Sequence, residues 1–305
     1  MQPGHPFAPM EPKSFAYPFD DQEYGFQIKW DGVRIVAHIV KGKVILYNRR
    51  LRERTEQYPE IVHALESYSW PQDMILDGEM VSLVEGKPDF PALLRRDQAR
   101  RKDSIKLLRA KIPVTYILFD LLYCGKSLKS LSFQEREQSL RTNVFVQEPV
   151  VITDTFWGCG KQVFAVVKDQ GLEGMVAKRL TSPYIIGKAS NQWLKIKSWR
   201  LFQGVVGGYT QSREKNIGAL LLGRWENGQL IYVGKVAVAL AQREKEILAA
   251  GLKKLARSTS SFLYTPNIKG VHFYWVEPVL PVQVEYLDWT EEGYLRQPVL
   301  KGFGL

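Results

Sequence analysis

The feature that most constrains the fold is a succession of short apolar segments separated by tight turns, beginning near residue 24. The first three predicted strands are Phe26 to Ile28, Arg34 to Val40 and Lys43 to Asn48. Lys41-Gly42 between the last two is typical of a hairpin turn. A connection of two residues can join only antiparallel neighbours. This part of the chain is therefore predicted to form an antiparallel sheet.

Helices and further strands follow without a regular strand-helix-strand repeat, so the pattern favours an α+β fold with antiparallel sheets over a doubly wound parallel sheet. Thr55 is the candidate cap of the first helix. The helices are predicted at Thr55 to Tyr68, Leu93 to Lys111, Ser132 to Leu140 and Lys161 to Gln170, and the strands at Met74 to Val84, Val114 to Tyr123 and Gly174 to Lys178.

The composition changes near Trp199 to Gly204, and closely spaced strands follow. Short strands with a single helix over about a hundred residues fit a small β-barrel of the OB type, a common nucleic-acid-binding scaffold. We therefore predict two domains, residues 1–199 and 200–305. The predicted strands are Phe202 to Tyr209, Ala219 to Trp225, Gln229 to Val233, Tyr274 to Pro278 and Val282 to Leu287, with the helix at Gln242 to Leu255.

The chain of 305 residues carries a formal net charge of +10, which makes a polyanionic partner such as nucleic acid a candidate. A solvated basic surface is the alternative, because charge alone does not identify a partner. The predicted helix Leu93 to Lys111 leaves the same two readings open, a solvated face or a surface that contacts phosphates. Its basic residues are Arg95, Arg96, Arg100, Arg101, Lys102, Lys106 and Arg109.

Cys124 and Cys159 are too few for a disulfide framework and belong to no zinc-binding pattern, so both are predicted to be buried, reduced thiols. No segment approaches the ~20 apolar residues that span a bilayer. We therefore expect no membrane association and a cytoplasmic location. The four histidines fit no catalytic motif and are predicted to be structural or surface groups; they are His5, His38, His63 and His272.

Lys29 ends an apolar strand and is followed by an Asp-Gly turn and by Arg34. A lysine in this setting can be a nucleophile, provided that desolvation or neighbouring cations lower its pKa from about 10.4. Lys195 and Lys197 could supply such a field, because strand alternation places both on one face. Two cations on one strand face are costly unless an anion lies between them, and phosphate is the natural anion. An exposed basic strand is the alternative.

Two carboxylate motifs could also contribute to a phosphate-binding site, by holding a metal ion. Glu79 and Glu173 each lie beside a glycine, which allows another backbone or a ligand to approach closely. Such a pair suits Mg²⁺, which binds one or two carboxylates together with substrate phosphates. Hydrogen-bonded structural carboxylates are the alternative. Phe119 is either a core aromatic or a platform on which a nucleobase stacks.

The order of these segments resembles the covalent nucleotidyltransferase superfamily and, within it, ATP-dependent DNA ligases, especially the ligase module of bacterial non-homologous end-joining ligases. The resemblance extends from about Phe7 to Phe303. The motifs are KWDGVR at Lys29 to Arg34, NRR at Asn48 to Arg50, LDGEMV at Leu76 to Val81, FDLLY at Phe119 to Tyr123, EGMVAKR at Glu173 to Arg179, WLKIK at Trp193 to Lys197 and RQPVLKG at Arg296 to Gly302.

The resemblance implies a site that uses ATP as co-substrate and Mg²⁺ or Mn²⁺. Lys29 would be the adenylated nucleophile, and Arg296 would orient the leaving pyrophosphate. Glu79 would serve ribose or metal, and Glu173 would be the second metal carboxylate. The remaining implied contacts are Gln27, Ile28, Arg34, Arg49 and Met175 to the nucleotide, Phe119 to adenine, and Lys195 and Lys197 to the α-phosphate.

The implied reaction seals a 5′-phosphate/3′-hydroxyl break in nicked or broken double-stranded DNA, in repair or end joining. The chain has no room for a separate DNA-encircling domain, so we expect a monomer helped by an end-binding repair protein or by attached polymerase and nuclease domains. An RNA ligase or an mRNA-capping guanylyltransferase is the alternative enzyme, because both use the same lysine motif. A non-catalytic DNA-end-binding protein is the alternative from another class.

Several positions depart from the family pattern, including Val236-Ala237-Val238, which lacks the glycines often found in this barrel strand. Gln27 stands where many relatives have glutamate, Leu51 stands where the NRR segment continues with glycine, and Ala189 stands where arginine is common. None of these changes removes the lysine nucleophile or a metal carboxylate. They bear on the nucleotide contacts.

Overall fold

The computed structural model describes residues 1–212, 216–266 and 271–304. The chain divides into two compact units, Met1–Ser198 and Trp199–Leu305, which are described separately. In the described residues, no helix is both long and apolar enough to cross a membrane.

The first unit is α+β. Its helices are α1 (Pro59–Ser67), α2 (Phe90–Gln98), α3 (Lys102–Lys111), α4 (Phe133–Asn143) and α5 (Gly160–Asp169). Its strands are β1 (Glu11–Ser14), β2 (Tyr24–Ile28), β3 (Val33–Val40), β4 (Lys43–Asn48), β5 (Met74–Val81), β6 (Leu83–Val84), β7 (Lys87–Pro88), β8 (Thr115–Cys124), β9 (Lys126–Ser127), β10 (Val150–Ile152), β11 (Phe156–Trp157), β12 (Gly174–Arg179) and β13 (Ala189–Lys197).

Two larger sheets and one small hairpin organise these strands. The first sheet has the order β1-β13-β12-β2-β11, and the second has the order β10-β8-β5-β3-β4 with β9 paired to β8. Neighbours are antiparallel except at one edge of each sheet, where β1 pairs with β13 and β10 with β8 in parallel. The predicted hairpin at Lys41-Gly42 is confirmed, with φ values of 51° and 77°. Antiparallel pairing therefore dominates, as the turns predicted.

Apolar side chains from both sheets meet in one cluster. Val36 and Ile75 come from the second sheet, and Trp193 comes from the first. Two further clusters cover the outer faces, one beneath α1 and one beneath α5, where Val163 and Val167 pack against the first sheet. Burying such side chains contributes roughly 1.5–3 kcal/mol each. The packing of the sheets fixes the positions of the strand ends that carry the candidate site.

Two helix predictions are wrong in detail. The helix predicted from Thr55 begins instead at Pro59, because proline lacks the N–H that a helix interior needs and suits the first helical position. Thr55 accepts a hydrogen bond from the Leu46 backbone instead of capping the helix. The single helix predicted at Leu93 to Lys111 is two helices, α2 and α3, because residues 99 and 101 have extended backbone.

Two predictions about burial are also wrong. Arg96 does not belong to an exposed basic face: its side chain is buried and donates to Glu60 at 2.6 Å and to the Gln57 carbonyl. Cys124 and Cys159 are free but only half-buried. Cys124 lies at the end of β8 and accepts a hydrogen bond from Gln72.

The second unit is a strand-rich domain around its own apolar core. Its sheet has the order β16-β15-β14-β18-β17, with β19 paired to β18. Its elements are β14 (Arg200–Gln211), β15 (Ile217–Glu226), β16 (Gln229–Ala237), α6 (Gln242–Lys254), β17 (Ala256–Arg257), β18 (Phe273–Tyr286) and β19 (Val299–Phe303).

The separate strands predicted at Tyr274 to Pro278 and Val282 to Leu287 form one continuous strand, β18. Pro278 and Pro281 interrupt the sequence pattern because proline cannot donate to a ladder. The register against β14 shifts at that point, between Val206 and Gly208. The strand accommodates Pro278 in this irregularity and keeps Pro281 in register with Val205, and it does not end at either proline.

Candidate active site

Lys29 follows β2, and its surroundings are set by the first sheet. The Lys29 backbone N–H donates to the Gly174 carbonyl at 2.9 Å, and Gly174 is the register partner of Lys197. Lys29 Nζ lies 2.6 Å from Glu173 Oε2, and Lys197 Nζ lies 3.8 Å from Glu173 Oε1. The strand order β2-β12-β13 thus brings two lysines and one carboxylate together from three segments.

Two glycines allow the close approaches on which this arrangement depends. Gly174 has φ +156°, and a Cβ there would lie 2.2 Å from the Ile196 carbonyl oxygen. A Cβ on Gly32 would lie 2.1 Å from the Met80 carbonyl oxygen. Any side chain at either position would force backbone to move. Gly32 therefore lets the turn after Lys29 pack against β5, which carries Glu79.

Glu79 is a partly exposed carboxyl group that makes no hydrogen bond or ion pair with any side chain in the described part of the chain. Burial raises the pKa of Glu79 to about 8, although Lys29 and Arg34 act in the opposite direction. Asp77 and Glu173 raise this pKa further. A carboxyl group that has no ion-pair partner among the described residues and lies near a second carboxylate has the chemistry of a cation site.

We tested whether these residues suit a divalent cation. The described residues contain no group of three or more acidic, histidine or cysteine side chains placed to hold a metal ion. Mg²⁺ needs no such group, since it binds through one or two carboxylates plus substrate phosphates and water. Glu79 and Glu173 therefore fit a cation that arrives with a phosphate-bearing substrate, and fit poorly a permanently held metal.

Arg34 is already engaged by protein groups. Its guanidinium donates to both oxygens of Asp77, at 2.7 and 2.6 Å, and the Tyr184 hydroxyl donates to the same carboxylate at 2.6 Å. Asp77 is fully buried. The Arg34 guanidinium also lies 4.7 Å from the centre of the Phe119 ring. A cation–π contact and a bidentate ion pair thus fix Arg34 beside the half-exposed aromatic ring.

Lys178 supports Phe119 from within the protein. Its buried ammonium donates to the Phe119 carbonyl at 3.0 Å and lies 4.6 Å from the Phe119 ring centre. The rings of Phe133 and Trp193 are also close, at 4.8 and 4.2 Å. Burial lowers the pKa of Lys178 to about 7, while Asp120 opposes this effect. Phe119 is therefore held by cations at both its ring and its backbone.

Other predicted nucleotide contacts lie deeper. Gln27 is 3% exposed and donates to Thr155 at 2.9 Å. Ile28 and Met175 are register partners in the apolar cluster of the first sheet, and Met175 is fully buried. Its side chain belongs to the core, so only its backbone could reach a nucleotide in this conformation.

The remaining predicted residues are more exposed. Lys195 is half-buried on β13, on the same strand face as Lys197. Arg49 is exposed in the turn after β4. Arg296 lies in the second unit, where its backbone N–H donates to the Asp288 carbonyl. The described contacts therefore unite Lys29, Glu173 and Lys197 directly and place Glu79 within electrostatic range of this group.

Sequence reasoning missed Tyr184 and gave Lys178 no role. Tyr184 follows a Ser-Pro pair in a segment without regular structure, so no periodic or motif signal marks it. Lys178 was visible within EGMVAKR, but nothing in the pattern showed that its ammonium is buried. Asp77 was visible as the first carboxylate of LDGE, and its pairing with Arg34 is a product of the register between β3 and β5.

Comparison with known proteins identifies the class. Residues 12–197 match the model of the ATP dependent DNA ligase domain, and residues 213–303 match the model of the ATP dependent DNA ligase C terminal region. The chain belongs to the ATP-dependent DNA ligase family. The predicted resemblance and the predicted α+β fold with a second OB-type domain are thereby confirmed.

Within this family, the chain is similar to several named proteins. The multifunctional non-homologous end joining protein LigD of Mycobacterium bovis is 32% identical over 288 residues, which cover 92% of this chain and 36% of that protein. A DNA ligase of Thermococcus fumicolans is 30% identical, over 94% of this chain and 53% of its own length. The chain thus spans little more than a third of LigD and about half of the second relative.

A solved structure of mycobacterial DNA ligase D complexed with ATP and MES matches nearly the whole chain. It is 30% identical, covers 98% of this chain and 95% of its own, and has a TM-score of 0.57. The fold of the described residues therefore corresponds to that of a ligase domain.

Proposed function

We propose that this chain is an ATP-dependent DNA ligase that seals 5′-phosphate/3′-hydroxyl breaks through a lysyl-AMP intermediate. In the first step Lys29 Nζ attacks the α-phosphorus of ATP, a P–N bond forms and pyrophosphate leaves. In the second step AMP passes to a 5′-phosphate, and Lys29 is freed. In the third step a 3′-hydroxyl displaces AMP and forms the phosphodiester bond.

The observation that carries this proposal is the contact between Lys29 Nζ and Glu173 Oε2 at 2.6 Å. The contact holds the proposed nucleophile beside one of the two carboxylates that would bind the cation, so the amine would meet the α-phosphate of cation-bound ATP there. Lys197 lies on the other oxygen of Glu173, and Lys195 shares its strand face. Both ammonium groups would stabilise the charge that develops on the α-phosphate, which is the main demand of phosphoryl transfer.

The same carboxylates provide the proposed metal site. Glu79 and Glu173 would hold Mg²⁺ or Mn²⁺ together with the phosphates of ATP. The cation would neutralise part of the negative charge on the phosphates of ATP.

The other proposed roles concern nucleotide binding. Phe119 would stack on adenine, with Arg34 beside it. Gln27, Ile28 and Met175 would line this region from β2 and β12, with Met175 contributing backbone. Arg49 would contact a phosphate end, and Arg296 would orient the leaving pyrophosphate. We assign residues 1–199 as the adenylation domain and residues 200–305 as the OB domain.

The proposed substrate is nicked or broken double-stranded DNA, and the proposed setting is repair or end joining. An end-binding repair protein, or polymerase and nuclease domains, would act with the ligase. Support comes from the similarity to multifunctional LigD, of which this chain spans 36%. The enzyme would act as a monomer in the cytoplasm, at the nucleoid.

The decisive experiment is intact-mass spectrometry after incubation with ATP and Mg²⁺. The wild type should gain one adenylyl group, which pyrophosphate removes, and Lys29→Ala should gain none. Lys161→Ala, which changes an exposed lysine elsewhere, is the matched control and should behave as wild type. A labelled Lys29→Ala protein would overturn the mechanism. Labelling by GTP in place of ATP, or sealing of RNA strands in preference to DNA strands, would overturn the assignment to DNA ligation.

A further inference from the structure

Helices α2 and α3 expose a concentration of positive charge that the proposed chemistry does not use. The acidic residue exposed among these cations is Asp103. None of the cations forms an ion pair with a residue in the described ranges, apart from Arg109, which lies 3.8 Å from Glu60. They are Arg95, Arg100, Arg101, Lys102, Lys106, Arg109 and Lys111.

A second group of exposed cations lies in the turn after β4. The Asn48 side chain accepts hydrogen bonds from the backbone N–H groups of Arg50 and Arg52, at 3.0 and 3.1 Å. Leu51 takes a left-handed conformation with φ 61°, and its backbone N–H donates to the Asn48 carbonyl. The turn is therefore tightly specified and presents Arg49, Arg50 and Arg52 to solvent.

Hydrogen bonds connect the segments that carry these two groups. Arg54, two residues after Arg52, donates to Asp97 at 3.0 Å, and the Tyr58 hydroxyl donates to the same carboxylate at 3.1 Å. Gln57 donates to the carbonyl of Ala99, the residue before Arg100, at 2.9 Å. The buried Arg96 adds its bonds to Gln57 and Glu60. We call the two groups of exposed cations together the basic surface.

The start of α3 is the least expected part of the basic surface. Arg100, Arg101 and Lys102 cluster where the helix dipole is positive, and cations are disfavoured there. No side chain caps this helix, although Asp103 lies in its first turn. A phosphate group at this position would accept hydrogen bonds from the first N–H groups of the helix and would offset the charge of the adjacent cations.

We infer that the basic surface binds the sugar-phosphate backbone of the DNA duplex beside the break, an inference that rests on the proposed function. Duplex DNA carries one charge per ~1.7 Å of axis, so α3, at 10 residues and about 15 Å, spans roughly four phosphates of one strand. The segments 49–52 and 95–111 contain no aromatic residue. Single-strand binding surfaces use aromatic stacking, so the absence of aromatic residues favours a duplex over a single strand.

The test compares two variants with equal loss of charge. The first replaces Arg95, Arg100, Arg101 and Lys106 by alanine. The control replaces four exposed lysines elsewhere in the first unit by alanine, namely Lys43, Lys126, Lys161 and Lys168. Circular dichroism and the unfolding temperature verify that both variants are folded. Arg49 is left unchanged because it belongs to the proposed nucleotide site.

Binding to a nicked duplex is measured by fluorescence anisotropy over a range of salt concentrations. In the first variant, the slope of log K against log salt should fall by about three to four, since each lost phosphate contact removes about 0.9. The duplex dissociation constant should rise by more than tenfold at low salt, and the control should change little. Self-adenylation by ATP should equal that of wild type in both variants.

Equal salt slopes in the two variants would overturn the inference, as would a loss of affinity for polyglutamate as large as the loss for duplex. A greater loss for single-stranded DNA than for duplex would also overturn it. A failure of the proposed function would give a different result. The wild-type protein would then bind duplex DNA through the basic surface but would form no covalent AMP adduct with ATP.

Discussion

Lys29 Nζ and Glu173 Oε2 lie 2.6 Å apart although 144 positions separate these residues in the chain. The contact joins a turn after β2 to the residue before β12, and Lys197 approaches the same carboxylate from β13. A carboxylate shared by two lysines holds both ammonium groups in one place, beside the position proposed for the α-phosphate of ATP. The first prediction follows from this geometry.

Replacing Glu173 by glutamine should remove one proposed metal carboxylate and the ion-pair partner of Lys29 while preserving the shape of the side chain. We expect the rate of adenylation of Lys29 to fall by about 10²-fold or more, the usual effect of removing one group that stabilises charge in the transition state. Single-turnover transfer of labelled AMP measures this rate. The unfolding temperature should stay close to that of wild type. Transfer at the wild-type rate would show that the carboxylate charge is not required.

Replacing Lys178 by methionine should loosen Phe119 without touching the reacting atoms. Methionine fills a similar volume between the rings of Phe119 and Trp193, but it leaves the Phe119 carbonyl without its donor at 3.0 Å. We expect KM for ATP in self-adenylation to rise roughly tenfold, comparable to one hydrogen bond, with kcat little changed. Lys168→Met, at an exposed position on α5, is the control. If the variant were less stable but its KM for ATP were unchanged, Lys178 would contribute to packing and would not position Phe119 for ATP binding.

Replacing Arg136 by methionine should destabilise the first unit strongly. Arg136 and Asp120 form a bidentate pair at 2.8 and 3.0 Å, and both side chains are fully buried. Removing the arginine leaves an unpaired buried carboxylate, which costs about 3–5 kcal/mol in the free energy of unfolding. Urea unfolding measures the change, and adding Asp120→Asn should recover part of it because a neutral amide is less costly to bury. Arg141→Met, at a partly exposed ion pair, should cost under ~1 kcal/mol.

The dependence of stability on pH should include a contribution from His38. This fully buried ring accepts a hydrogen bond from the Gly4 backbone N–H at 3.0 Å and packs near Phe7 and Tyr47. Burial, with a smaller effect of His5, lowers its pKa from 6.5 to about 4. Below pH 6.5 the unfolded chain therefore binds a proton that the folded protein excludes. The folded state should lose stability as the pH falls from about 6.5 to 4.

The loss from His38 should reach about 3 kcal/mol by pH 4, on the order of the shift in its pKa. His38→Gln keeps a possible acceptor for Gly4 but cannot titrate in this range. Urea unfolding at pH 7 and pH 4.5 should show a smaller decrease in stability for this variant than for wild type. His63→Gln, at an exposed histidine on α1, should retain the wild-type decrease. If the free energy of unfolding depended on pH equally in all three proteins, the contribution assigned to His38 would be contradicted.

Local signals predicted the elements whose boundaries are set locally. The turn at Lys41-Gly42 was predictable because glycine supplies a positive φ that few residues adopt. The helix predicted from Ser132 forms as α4, where Ser132 and Glu135 make reciprocal capping hydrogen bonds. In both cases, residues within a few positions of each other determine the structure.

Predictions failed where packing overrode the local pattern. The basic run from Leu93 to Lys111 has a helical composition, but the bonds of Arg96 and Asp97 to the segment 54–60 fix the end of α2. The break between α2 and α3 follows directly after these anchors. Arg96 shows why local sequence could not predict this burial. An arginine is normally exposed, and it becomes buried only when a partner such as Glu60 lies within reach.

The sequence by itself marked the residues that are proposed to carry the chemistry, because all five lie in recognisable motifs on or beside strands: Lys29, Glu79, Glu173, Lys195 and Lys197. Only the tertiary structure decided how they pair. Contacts such as Lys29 with Glu173, or Tyr184 with Asp77, depend on the order and register of strands from distant parts of the chain. Strand periodicity specifies which face a side chain occupies but not its neighbouring strand, and burial of the shared core selects that neighbour.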